Sequence, residues 1–323
     1  MKGLLITPAI SVLACLPTAL IGSAATNVNM GKDCLAYFAT ASEAAEILTR
    51  KDDFIDRLSA FDRAARMKTE RTVSEKEFLA FIRASVSSWT DAEKEKVEAA
   101  IGKIRPALEA LPLPFPKRIA LLKTIGTEEG HAFYTRNTAI VFPEGQLTAA
   151  NAPPLEKTIA HELFHILSRE NPAMREALYQ AIGFTACAEV QLPASLQPRK
   201  ITDPDAPRND HSIRLRVDGK EVAAVPILFS ATEKYDTHRG GEFFSYLQFQ
   251  FLILENGSGS LSAGEVVGPS RVSGFFEQVG RNTDYLIHPE EILAENFALL
   301  VLNEQQVASP AILQRIREIL MRR

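Results

Sequence analysis

The chain has 323 residues, 46% of them hydrophobic and 24% charged, with a formal net charge of -4. That size and balance describe a globular protein with apolar content for one large core or two smaller ones. Mild acidity, with no basic stripe and no interleaving of basic and aromatic residues, argues against a nucleic-acid-binding surface.

Residues 1–25 read as an export signal. Lys2 supplies a minimal positive start, residues 3–22 are almost wholly apolar, and Ser23-Ala24-Ala25 offers small residues for cleavage near Ala25. A membrane anchor is the rival reading, weakened by Pro8 and Pro17 inside the run. Lipid attachment at Cys15 after Val12-Leu13-Ala14 is another, but the apolar run continues well past that cysteine. The expected location is periplasmic or secreted, with no stable membrane span once the signal is removed. Cys34 and Cys187 then remain, able to form one bridge in an oxidising compartment or to stay as free thiols.

Residues 33–111 are helical in character, with Phe54, Leu58, Phe61 and Ala65 at helical spacing. Ser74 and Thr90 each precede a glutamate by three residues, the pattern of a capped helix start. Three or four helices are expected. The prolines at 112, 114 and 116 end this pattern and mark a boundary. Residues 117–323 are expected to form a second domain. It opens with strand-like residues 118–123, a turn at 126–130, and a further strand at 132–142 rich in aromatic and β-branched side chains. That strand is either an ordinary member of a sheet or an exposed edge able to bind an extended peptide by main-chain pairing.

Pro153 and Pro154 suit the entrance to a helix that contains His161-Glu162-Leu163-Phe164-His165. Two histidines four residues apart on a helix are about 40° apart around the axis and roughly 6 Å along it, so both rings reach one ion. Leu155, Ile159, Leu163, Phe164, Ile166 and Leu167 fill the opposite arc for packing. Zn2+ suits such a pair, because a catalytic zinc takes three protein ligands and leaves a position for water. Glu162, next to the first histidine, stands where a carboxylate can act as general base on that water. A core helix with two satisfied histidines is the plainer alternative.

The third ligand is not local. A glycine at 168 and a histidine at 171 would complete one common pattern, but those positions hold Ser168 and Asn171. Far downstream, Pro289 can open a helix that places Glu291 and Glu295 one turn apart on one face. Their mutual repulsion is offset if Glu291 meets the zinc and Glu295 accepts the remaining ring N–H of a ligand histidine. Glu290 is the neighbouring alternative to Glu291, since helix register is read to a residue or two. A solvent-facing acidic turn is the plainer reading. Residues 190–284 form a β-rich insertion. It holds a loop at 203–208, a hairpin of 212–217 and 221–229 around Asp218-Gly219, an apolar stretch at 243–254 that is strand or buried helix, and a flexible loop at 255–260. The insertion either caps the cleft or simply enlarges the fold.

The pair of motifs, His161-Glu162-Leu163-Phe164-His165 and Glu291-Ile292-Leu293-Ala294-Glu295-Asn296-Phe297, resembles the gluzincin metallopeptidases, and the second is similar to lethal-factor-like catalytic domains. The resemblance covers those two motifs and at most the strand at 134–138. It implies an α+β, zincin-like fold, with an active-site helix, a small sheet with an edge strand and a glutamate helix, here preceded by the helical region. It assigns His161, His165 and Glu291 to one zinc ion per chain, Glu162 to general base, and Glu295 to the support of a ligand histidine. In those domains a tyrosine seven residues before the glutamate ligand stabilises the oxyanion; that position is Asp284 here, and Tyr285 beside it is the expected donor. His211 and His238 are the fallback donors. The activity implied is peptide-bond hydrolysis by an exported zinc metallopeptidase acting on peptides or proteins. The alternatives are a catalytically inactive zinc-binding cell-envelope protein with a binding or assembly role, and a structural domain without metal.

Overall fold

The structure is a computed structural model that describes residues 27–256 and 261–322. The expected export signal at 1–25, with Cys15, and residues 257–260 of the expected loop lie outside the described residues. The architecture is mixed α+β. A first sheet contains β1 (Asn27–Gly31), β2 (Cys34–Phe38), β3 (Arg118–Thr124), β4 (Tyr134–Arg136) and β5 (Ala139–Pro143), in the order β1-β2-β3-β5-β4. The three central strands are parallel and the two outer ones antiparallel to their neighbours. Strands covered on both faces read as continuous apolar runs, as in Ile119-Ala120-Leu121-Leu122, where Ile119 and Leu121 face one core while Ala120 and Leu122 face another.

Five helices, Ala41–Leu48, Asp53–Arg57, Ala60–Arg66, Glu75–Ser85 and Asp91–Glu109, connect β2 to β3. Both capping boxes expected at Ser74 and Thr90 are formed, and Thr40 and Ser59 add two more. The short strand Cys34–Phe38 lies inside the stretch read as helical, since its alternating burial belongs to a period of two rather than 3.6. Residues on both sides of the prolines at 112–116 share a core: Ile101 and Ile104 pack with Leu121, Leu163 and Phe164. The expected continuous strand at 132–142 is two strands joined by a tight turn, with Asn137 in the left-handed region at φ 53°.

A second sheet is built from β6 (Phe184–Ala186), β7 (His211–Val217), β8 (Lys220–Ser230), β9 (Leu247–Asn256), β10 (Leu261–Val267) and β11 (Val272–Ser273). Its order is β10-β9-β8-β7-β11, with β6 also paired to β7. The hairpin at Asp218-Gly219 forms as expected, with both turn residues at positive φ (49° and 82°), the geometry of a two-residue primed turn. The ambiguous apolar stretch becomes a short 3-10 turn, Phe243–Tyr246, followed by β9. The polar–apolar alternation of Gln248-Phe249-Gln250-Phe251 decides for strand. Cys34, buried in the first sheet, and Cys187, packed at the second, are both free thiols.

A buried ionic network ties the N-terminal helices to the loop that follows residue 201. Arg66, 2% exposed, donates through Nε and Nη2 to both oxygens of Glu129 at 2.8 and 2.6 Å, and through Nη1 to Asp62 at 2.7 Å. Asp62 in turn accepts from the backbone N–H of Thr202 at 3.0 Å and from its hydroxyl at 2.8 Å. Removing one partner of such a buried pair leaves an uncompensated charge, which costs about 3–5 kcal/mol. Arg66→Leu should therefore lower unfolding stability by about that amount in urea titrations; a loss below about 1 kcal/mol would show that the network does not hold the loop.

Candidate metal centre

Helix Leu155–Glu170 begins directly after Pro153 and Pro154 and buries Ile159, Leu163, Phe164, Ile166 and Leu167, the arc expected to pack. Helix Pro289–Val301 opens at Pro289 and lies against it, with Phe297 and Phe164 in ring contact at 5.6 Å. His288 caps this second helix: its Nδ1 accepts the N–H of Glu290 at 3.1 Å. An accepting Nδ1 requires the neutral tautomer, and burial pulls the His288 pKa down to about 4.

The two helices bring His161, His165 and Glu291 together, each offering a ligand atom within 4.8 Å of the others. Nε2 of His161 lies 3.1 Å from Glu291 Oε2, and Nε2 of His165 lies 3.5 Å from Glu291 Oε1. Behind the rings, each Nδ1 has its own carboxylate: Glu295 for His161 at 3.1 Å and Glu290 for His165 at 3.2 Å. Glu295 is also bound by Lys157 at 2.9 Å, and Glu290 by Ser168 at 2.8 Å and Tyr179 at 2.6 Å. Glu290 is thus fully engaged behind His165, and Glu291 is the carboxylate that faces both imidazoles. An Nδ1–H held by a carboxylate fixes the tautomer and leaves Nε2 free to coordinate.

Burial works to lower the His161 pKa, but Glu291 and Glu295 outweigh it and push the group up to about 10. Those carboxylates favour positive charge at Nε2 whether a proton or a metal ion carries it. The donor set fits a metal ion for a second reason. His165 Nε2, Glu291 Oε1 and Glu162 Oε2 are buried without hydrogen-bond partners, a costly arrangement unless something polar lies between them. Two imidazoles and a carboxylate are the donors of borderline-soft divalent ions.

Glu162 is 4% exposed, and burial, reinforced by Asp205, pushes its carboxyl up to about 8. Tyr285, 42% exposed, stands over the site with its ring 6.4 Å from that of His161. The fallback donors are elsewhere. His211 is buried between Asp210 (2.6 Å) and Glu176 (3.1 Å), and His238 is exposed in a loop.

Two acidic residues of the candidate site escaped the sequence reading. Asp203 and Asp205, read only as loop, enter the site beside Glu291, and Asp205 also approaches Glu162 and His165. Asp205 accepts the backbone N–H of Thr135 at 2.9 Å, so the edge N–H of β4 is already taken. An added strand would find no free donor on Thr135. Nothing in the spacing of Asp203-Pro204-Asp205 marks it, because the contacts are made 70 residues from Thr135 along the chain. The cleft in front of the site is about 240 Å³. One wall is apolar, with Phe133, Leu228, Phe243, Phe244 and Ile287, while Glu162, Asp203 and Glu291 line its base.

The His288 cap generates a pH prediction. Its folded pKa is depressed below the unfolded value of about 6.5, so its contribution is fully present above pH 6.5 and is lost as pH falls towards about 4. Asn keeps a cap but does not titrate. Relative to His288→Asn, the wild-type protein should lose stability in urea unfolding between pH 7 and pH 5; an unchanged difference would contradict the neutral, capping imidazole.

Among the described residues no helix is long and apolar enough to cross a membrane. Comparison of the chain with protein-family models, with curated proteins and with solved structures finds no match.

Proposed function

We propose that the chain is a zinc-dependent endopeptidase of the gluzincin type on a zincin-like fold, with His161, His165 and Glu291 as ligands. The observation that carries this reading is the convergence of those three donors, each imidazole backed by its own carboxylate, beside an unpartnered Glu162 at the base of a cleft. An export signal at residues 1–25 would place the activity in the periplasm or outside the cell.

A zinc ion held by His161, His165 and Glu291 would supply Lewis acidity and lower the pKa of a water at the site. Glu162 accepts a proton from the attacking water and returns it to the departing amine nitrogen, the two halves of general acid–base catalysis. Tyr285 donates its phenolic O–H to the oxyanion that develops on the substrate carbonyl. Glu295 and Glu290 hold the two imidazoles by their Nδ1–H groups, so that neither ring turns during turnover. The apolar wall of Phe133, Phe243 and Phe244 accepts substrate side chains and excludes water from the reacting bond.

Cleavage of a quenched peptide library, abolished by chelator and restored by zinc, is the direct test of this reading. Within it, Glu162→Gln should lower kcat at least about 100-fold while the protein keeps its zinc by elemental analysis. Undiminished turnover in that variant would remove Glu162 from the chemistry; absence of cleavage in the wild type would favour a zinc-binding protein without turnover. Tyr285→Phe should lower kcat about 100-fold with KM nearly unchanged, the signature of an interaction made in the transition state. A change confined to KM would make Tyr285 a substrate-binding aromatic instead.

A further inference from the structure

Around the site, carboxylates outnumber the cationic side chains that face them. Glu162, Asp203, Asp205, Glu290, Glu291 and Glu295 are six carboxylates, and the cations among them are Lys157, 2.9 Å from Glu295, and Arg169, 3.8 Å from Asp205. Buried charge of one sign in excess is expensive, and proteins meet it with protons or with metal ions.

The excess is concentrated at one point. Oxygens of Asp203, Asp205 and Glu291 all lie within 4.8 Å of one another, a spacing compatible with three oxygens at 2.0–2.6 Å from a shared cation. Glu291 is 2% exposed; its Oε1 and Oδ2 of Asp203 are buried with no hydrogen-bond partner. Asp205 presents a side chain only 7% exposed. The loop is held in this costly arrangement from outside. Thr202 is fixed by Asp62, Asp203 accepts the N–H of Asp205 at 2.9 Å, and Asp205 accepts from Thr135 at 2.9 Å.

Two cationic occupants come into question, a basic side chain of the substrate and a metal ion. The unpartnered oxygens are essentially out of reach of a water-sized sphere. Three carboxylate oxygens within 4.8 Å of one another match the several short oxygen contacts of a divalent cation, and the metal ion is the occupant they favour.

We propose that Asp203, Asp205 and Glu291 form a second divalent-cation site beside the His161–His165–Glu291 set, with Glu291 bridging the two. The inference rests on the reading that the first set holds an ion. All-carboxylate donors suit a harder cation than the imidazole pair does, such as Mn2+, Mg2+ or Ca2+. Paired ions in hydrolases stand about 3.5–4 Å apart, the separation a shared carboxylate allows.

The test uses the full chain, stripped with chelator and reloaded with Mn2+ alone, then measured by elemental analysis and electron paramagnetic resonance. Two ions per chain with an exchange-coupled spectrum are expected. Asp203→Asn should hold one ion and give the six-line signal of isolated Mn2+. One ion per chain with an uncoupled spectrum in the wild type overturns the second site and leaves the first intact, as does retention of two coupled ions by Asp203→Asn. No bound ion in wild-type protein, with Zn2+ as well as Mn2+, overturns both together. The wild-type spectrum decides the matter even if the variant fails to fold.

Discussion

A buried carboxylate facing two imidazoles is the arrangement on which the rest of the structure depends. Glu291 is 2% exposed and His165 1% exposed, and at that depth neither excess charge nor an unmet lone pair is cheap. The surrounding residues answer this constraint in pairs. Glu295 and Lys157 stand behind one ring, and Glu290, Ser168 and Tyr179 behind the other. Each imidazole is therefore oriented from its far side, and both Nε2 atoms point at one carboxylate.

The larger elements hold that geometry. The helix Leu155–Glu170 is clamped through its apolar arc against the first sheet and against Asp91–Glu109, while Phe297 locks the glutamate helix across it. The N-terminal helices contribute at a distance. Through Arg66, Asp62 and Thr202 they fix the start of the loop that delivers Asp203 and Asp205 to the site. The second sheet supplies part of the apolar wall through Leu228 and Leu247, so the β-rich segment at 190–284 shapes the cleft as well as enlarging the fold.

Much of this was legible in the residues because two local rules carry far. A spacing of four on an amphipathic helix fixes the relation of His161 to His165 and of Glu291 to Glu295, and a proline at a helix start fixes where the second pair begins. The caps at Ser74 and Thr90 and the turn at Asp218-Gly219 were legible for the same reason. Glu290 was not, because one residue of register separates a group that faces the site from one that stands behind it. Asp203 and Asp205 were not either, since no local periodicity reports a loop that crosses the molecule to reach Thr135. Cys34–Phe38 was misread as helical because five residues are too few for its period of two to stand out, and Leu35 faces outward at 42% exposure.

The account is tested most directly by diffraction from crystals of the zinc-loaded protein, with anomalous data recorded on both sides of the zinc absorption edge. A zinc peak about 2.0–2.2 Å from Nε2 of His161, Nε2 of His165 and an oxygen of Glu291 is the expected result. An absent peak, or zinc bound elsewhere while these three donors face one another without it, would contradict the account.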